Sequence, residues 1–399
     1  MRGMTAISER ALNRSTLARQ LLLERRPLGV EDAVRRVVAL QAQQPASPYV
    51  ALWNRVAGFR AAELDAALAG ARVVRSTLMR ITLHAVHVED YAAFRAAVEP
   101  TVRGARLRDR RFTASGLTEG DADALLPELL ERAGEPSGAP ELAEWLRGRT
   151  GIEADCAKTA WRMLRQYAPL WHAPAADAPW SYVAGSGQRY VAAGRAHRPR
   201  LRDPEAVAAG LRVLIRRYLE GFGPASVADM AQFALVQKGR VRAALGDGDG
   251  LEEFAGPGGT VLYDVPGGVR VAEEAPAPPR LMAMWDSVLL AYADRGRVLD
   301  PAYRKHVTRV NGDVLPTVLV DGYVAGVWRM APDGSGVEVG AFRPLPGEVW
   351  AALEQEALGV RQLLAERDAA AYRRYDHWWA KGLPVVGTRV FGPGPSKAR

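Results

Sequence analysis

The feature that most constrains this chain is a change in its apolar period. Four helical stretches are predicted at 13–25, 30–40, 48–56 and 61–69, interrupted by Pro27 and Gly29, Pro45 and Gly70. The period then becomes two: Met79, Ile81, Leu83 and Ala85 alternate with Arg80, Thr82, His84 and Val86, the pattern of a half-buried strand. A few short helices followed by a β segment is the outline of a winged helix-turn-helix. The order recurs. Helices near 121–133, 140–148 and 154–166 precede strand-like 170–172 and 180–183, and helices at 204–220, 225–236 and 238–245 precede extended 261–265 and 269–272.

A proline-rich linker at 274–280 separates a different C-terminal part. Segments 316–320, 323–330 and 337–342 read as a β-meander, turned at Asp321-Gly322 and at 332–336. A long helix follows at 347–370, and 391–399 reads as a frayed end. The expected architecture is α+β, mainly α. It has tandem winged helix-turn-helix modules at 1–90, 91–200 and 201–275, and a C-terminal β-meander plus helix at 281–390.

Charge narrows the partner. The 53 Lys and Arg against 45 Asp and Glu leave +8, and only five of the basic residues are lysine. Arginine forks suit phosphates, although a GC-rich genome also favours arginine over lysine. Together with three helix-then-strand modules, the charge points to DNA. The single cysteine, Cys156, excludes a disulfide framework or a cysteine-ligated cluster and fits a reducing cytoplasm. No apolar run reaches the roughly 18 residues that span a bilayer, so no membrane partner is expected. Nucleotide-binding loops and the His-Glu-x-x-His metal motif are absent. His84 and His87 would point to opposite faces of a strand, so no metal and no cofactor are expected.

The candidate site residues are few. Gln41 and Gln43 lie at i and i+2 where a helix stops before Pro45; a polar helix end explains them as well as a site does. Arg80 and His84, with Thr82, share one strand face, which is either the solvated side of a wing or part of a site. Asp286 reads as a helix cap or a partner of Arg295, or else as a site carboxylate able to stabilise positive charge. Arg103, Arg106, Arg108, Arg110 and Arg111 form one basic cluster; Arg195, His197, Arg198, Arg200 and Arg202 form another. Such runs are solvated surface or phosphate contacts.

Five blocks carry a family resemblance: LQAQQPASPYVALWNR (40–55), VVRSTLMRITLHAVHVEDY (73–91), GFGPASVADMAQF (221–233), MWDSVLLAYADRGRVL (284–299) and PTVLVDGYVAGVWR (316–329). Their content and order resemble the AlkZ-type winged-helix DNA glycosylases. The resemblance implies a concave, basic DNA-binding surface and excision of bulky alkylated purines, including those in interstrand crosslinks. Some relatives protect producers of DNA-alkylating compounds. It also implies that Gln41 and Gln43 are the catalytic pair. The expected protein is a monofunctional, monomeric glycosylase acting on double-stranded DNA that carries alkylated purines. A winged-helix regulator without catalysis is the alternative.

Overall fold

The computed structural model describes residues 4–183, 185–246 and 250–392. The chain divides into two compact units, each discontinuous in sequence: Met1–Glu63 with Tyr218–Asp229 and Gly250–Arg399, and Leu64–Arg217 with Met230–Asp249. The α+β class is as expected. No helix among the described residues is long and apolar enough to cross a membrane.

In the first unit, helix Glu9–Arg19 is buried along most of its length, polar residues included. Ser8 caps it by accepting the Ala11 N–H at 3.1 Å. The buried polar groups are satisfied by distant parts of the same unit, as burial demands. Asn13 donates to the carbonyls of Arg297 and Gly322 at 2.8 and 2.9 Å. Arg19 forms two bonds to Asp264, at 2.8 and 2.7 Å, with both side chains fully buried. Asp264 ends strand Val261–Asp264, which pairs with Glu252–Ala255, itself parallel to Thr5–Ala6.

The rest of that unit is built on a five-stranded antiparallel sheet, ordered Arg280–Leu281, Thr317–Val320, Tyr323–Met330, Val337–Ala341 and Gly387–Phe391. Helix Gly347–Ala365 packs against it. The three-strand meander expected from sequence is present with one further strand on each edge. Its first turn touches Glu9–Arg19: a Cβ on Gly322, which has φ +80°, would lie 2.4 Å from Asn13 Oδ1 and 2.6 Å from Arg14 Nη1. Glycine is therefore needed there for both conformation and space.

The second unit contains three successive helices with a small three-stranded sheet. Helix Glu119–Arg132 is followed by strand Ser137–Gly138, helices Ala139–Thr150 and Ala154–Tyr167, and the hairpin Leu170–Ala173/Arg189–Ala192. The late hairpin strand pairs with the early one, giving the order Ser137–Gly138, Arg189–Ala192, Leu170–Ala173. Leu125, Leu129, Leu142, Leu146, Trp161 and Leu164 share its core.

Several expected boundaries move. The helix expected at 13–25 is Glu9–Arg19, and the one expected at 30–40 stops at Arg36. Val37, Val38, Ala39 and Leu40 are fully buried, and Val38 has φ 75°, which ends helical propagation before Gln41. The strand expected at 79–86 is Leu83–His87, paired with Val73–Thr77, because Met79–Ile81 forms a 3-10 turn with positive φ at Arg80 and Ile81. Expected strands 180–183 and 269–272 do not form. The expected helix 347–370 ends at Ala365. The longest helix, Val88–Leu107, was not expected at all. Of the tail expected to fray, 393–399 lies outside the described residues, and Phe391 is in a strand.

Candidate active site

Within the first unit, the Gln-x-Gln segment leaves a two-residue strand, Leu40–Gln41. Gln41 is 5% exposed, Ala42 is buried and Gln43 is exposed. One glutamine is thus held in the protein and the next is presented to solvent. The chain then turns, the Ser47 N–H donating to the Gln44 carbonyl at 3.0 Å, and enters helix Ser47–Trp53 with proline in its first turn.

Two anchors hold this segment. On its N-terminal side, the Ser287 hydroxyl donates to the Ala39 carbonyl at 2.8 Å. On its C-terminal side, Arg55 reaches the neighbour of Ser287: its Nη1 and Nη2 donate to the two oxygens of Asp286 at 2.9 and 2.8 Å. Arg55 Nη1 also donates to the Ala51 carbonyl, tying the guanidinium to the helix end. Both side chains of the pair are 1% exposed or less. Asp286 additionally caps the short turn Ser287–Leu289 through the Val288 N–H at 3.1 Å.

Asp286 is therefore a cap and an ion-pair partner, as one expected reading had it, but of Arg55. Arg295 instead donates to Thr308 Oγ1 at 2.8 Å. Both Asp286 carboxylate oxygens are engaged and the side chain is buried. A further contact joins the Ser47 hydroxyl to the Tyr372 hydroxyl at 3.1 Å. Burial pushes the Tyr372 phenol well above its ordinary range, and the Asp286 charge adds to that.

Tyr372 leads into a segment that sequence reading missed, Arg373–Lys381, RRYDHWWAK. Arg374 lies over the Tyr375 ring, and Arg309 and Lys381 over Trp378, at 4.6, 4.3 and 4.6 Å. Arg373, Arg374 and Lys381 are exposed. Interleaved basic and aromatic residues were the available signal.

Arg80 and His84 belong to the second unit. Arg80 sits on the turn of the Val73–Thr77/Leu83–His87 hairpin, half-buried over Phe233. Its Nη2 donates to His84 Nε2 at 3.2 Å, while His84 Nδ1 donates to the Thr82 carbonyl at 3.1 Å. That arrangement fixes a neutral tautomer. Burial first and the Arg80 charge second hold the His84 pKa well below its ordinary value.

The expected phosphate contacts sort unevenly. Arg103 pairs with Glu119 and Asp123, and Arg108 with Glu119. Arg106 donates to Gln166 Oε1 at 2.9 Å. Arg198 donates to the Ala193 carbonyl and Arg200 pairs with Asp203 at 3.1 Å. Arg110 is exposed. These arginines mostly satisfy local acceptors. Among the described residues no group of three or more His, Cys, Asp and Glu could hold a metal ion.

A family model for AlkZ-like DNA glycosylases matches residues 34–380. The chain belongs to that family and is a DNA glycosylase; its substrate is DNA. A curated relative, an interstrand DNA cross-link repair glycosylase of Streptomyces sahachiroi, is 25% identical over 335 residues, which is 79% of this chain and 85% of the relative. A solved structure, the S. sahachiroi DNA glycosylase AlkZ, superposes with a TM-score of 0.71 over 90% of this chain and 98% of its own, at 22% identity. The two share a fold.

Two stability predictions follow from these contacts. Arg55→Met leaves the Asp286 carboxylate buried without its partner and should cost about 3–5 kcal/mol. Arg55→Met with Asp286→Leu should recover more than half of that. Urea unfolding checks both, and simple additivity would contradict the pairing. For His84, the unfolded chain binds a proton below about pH 6.5, whereas the folded chain resists it. Stability should fall as pH drops below that value, with His84 contributing about 1.4 kcal/mol per pH unit. Urea unfolding at several pH values should show a slope that shrinks by one proton in His84→Gln; an unchanged slope would refute the neutral assignment.

Proposed function

We propose that this glycosylase hydrolyses the N-glycosidic bond of bulky, cationic alkylpurines in double-stranded DNA, with Gln41 and Gln43 orienting the attacking water. The observation that carries this reading is the pinned Gln-x-Gln segment, with Gln41 held in the protein and Gln43 at the surface. Glutamine has no proton to gain or lose at neutral pH, so its contribution is to hold a water by carbonyl and amide. A purine alkylated at N7 or N3 already carries a positive charge. As its C1′–N bond breaks, the bonding pair neutralises the base, and the sugar is left with oxocarbenium character. The held water adds to C1′ and loses a proton to solvent, leaving an abasic site. Positioning of this kind can supply several kcal/mol of barrier reduction.

In this reading Asp286, Arg55 and Ser287 are positioning residues, acting through the backbone of 39–43. Arg373, Arg374 and Lys381, together with the exposed Arg110 and Arg200, contact phosphates. The ordered helices and hairpin of 119–192 serve as one winged-helix module among several arranged in tandem. The S. sahachiroi relative, an interstrand DNA cross-link repair glycosylase, supports extending the reading to unhooking of interstrand crosslinks, whose adducts are bulky.

Single-turnover assays on duplexes with one defined lesion test the proposal. Gln41→Ala/Gln43→Ala should abolish release of N7-alkylguanine, with EDTA present throughout, while DNA affinity stays within about threefold because phosphate contacts dominate it. N3-alkyladenine should also be released by the unaltered enzyme; uracil and 8-oxoguanine should not. Unchanged excision in the double variant, or efficient uracil release, would overturn the mechanism.

A further inference from the structure

The second unit holds a cavity of about 550 Å³ that contains none of the residues assigned above to the chemistry. Helices Val88–Leu107 and Pro204–Phe222 touch at Gly210, where a Cβ would lie 2.5 Å from the Ala93 carbonyl oxygen. Further along, at Glu99 and Pro100, the cavity opens between these two helices and Lys238–Leu245. Its volume lies within the range of small-molecule pockets. Pro100, Val207 and Leu211 give it apolar walls.

Two further observations point to a ligand. Glu99 lines the cavity at 3% exposure, and its Oε1 is buried without a hydrogen-bond partner. Buried polar atoms in that condition are uncommon and costly. Arg212 and Arg240 also line the cavity, and neither has an ion-pair partner among the described residues. An apolar chamber with a buried acceptor and two unpaired guanidinium groups is complementary to one kind of guest.

We propose that this cavity binds an amphiphilic organic anion: an apolar, preferably aromatic, body with one N–H or O–H donor for Glu99 and a terminal carboxylate, sulfonate or phosphate for Arg212 and Arg240. The guest is a free small molecule, bound in addition to DNA. Arginine is suited to such planar anions because its fork presents paired donors.

Anilinonaphthalene sulfonate has this design, and its neutral counterpart, N-phenylnaphthylamine, lacks only the anion. Fluorescence titration of the full chain should give saturable, single-site binding of the sulfonate. Ala208→Trp, which fills the cavity, should remove that binding with the circular dichroism spectrum unchanged. Arg212→Glu/Arg240→Glu, which alters surface groups and serves if the tryptophan variant does not fold, should weaken the sulfonate by at least ~10-fold. Binding of the neutral probe should change less than about twofold in the same variant. Sulfonate binding that survives Ala208→Trp in a folded protein would overturn the proposal. So would charge reversal that lowers DNA affinity but leaves the sulfonate untouched, since the two arginines would then be facing DNA phosphates.

Discussion

The Arg55–Asp286 pair is the interaction on which the Gln-x-Gln segment depends. Two charges are taken out of water together, and both carboxylate oxygens are met by a single guanidinium. Such a pair adds little net stability over an apolar substitute, but losing one partner is expensive. Its value here is geometric. It fixes the end of helix Ser47–Trp53 against the Asp286–Leu289 turn, and that turn, through Ser287, holds the Ala39 carbonyl. The segment 39–55 is therefore clamped at both ends, and the two glutamines lie between the clamps.

The clamp gives the proposed chemistry its character. Asp286 is locked in its ion pair, and Tyr372 is buried with its phenol pushed up. A site built from amides that hold a water, with no group poised to give up a proton, can exploit a leaving group that is already charged and does little for a neutral one. In the proposed mechanism, selectivity for damaged bases comes from the leaving group.

How much of this was legible in the sequence varied with the range of the interactions involved. The meander was, because alternation and the Asp321-Gly322 turn are local signals; so were the helices at 119–167, where apolar spacing is regular. Helix Val88–Leu107 was hidden by Pro100 in its interior and by an arginine-rich end that looked like surface. The 79–86 alternation suggested a strand, but two residues with positive φ turn the chain there. Gln41 and Gln43 were found through a family resemblance, whereas their supports were not. Arg55 and Asp286 are 231 residues apart, and nothing in a single sequence couples them. The basic clusters misled in the opposite direction: Arg103 and Arg108 are close to carboxylates of helix Glu119–Arg132, so charge density along the chain overstated the free charge in space.

The central claim is that catalysis here comes from positioning, with no side chain titrating in the step. The pH dependence of single-turnover N7-alkylguanine release tests it most directly. The account predicts a rate constant that is flat from about pH 6 to 8, over a range where the protein remains folded. A limb of unit slope within that range, shifted or removed by replacing one carboxylate or histidine, would contradict it and identify a general acid or base.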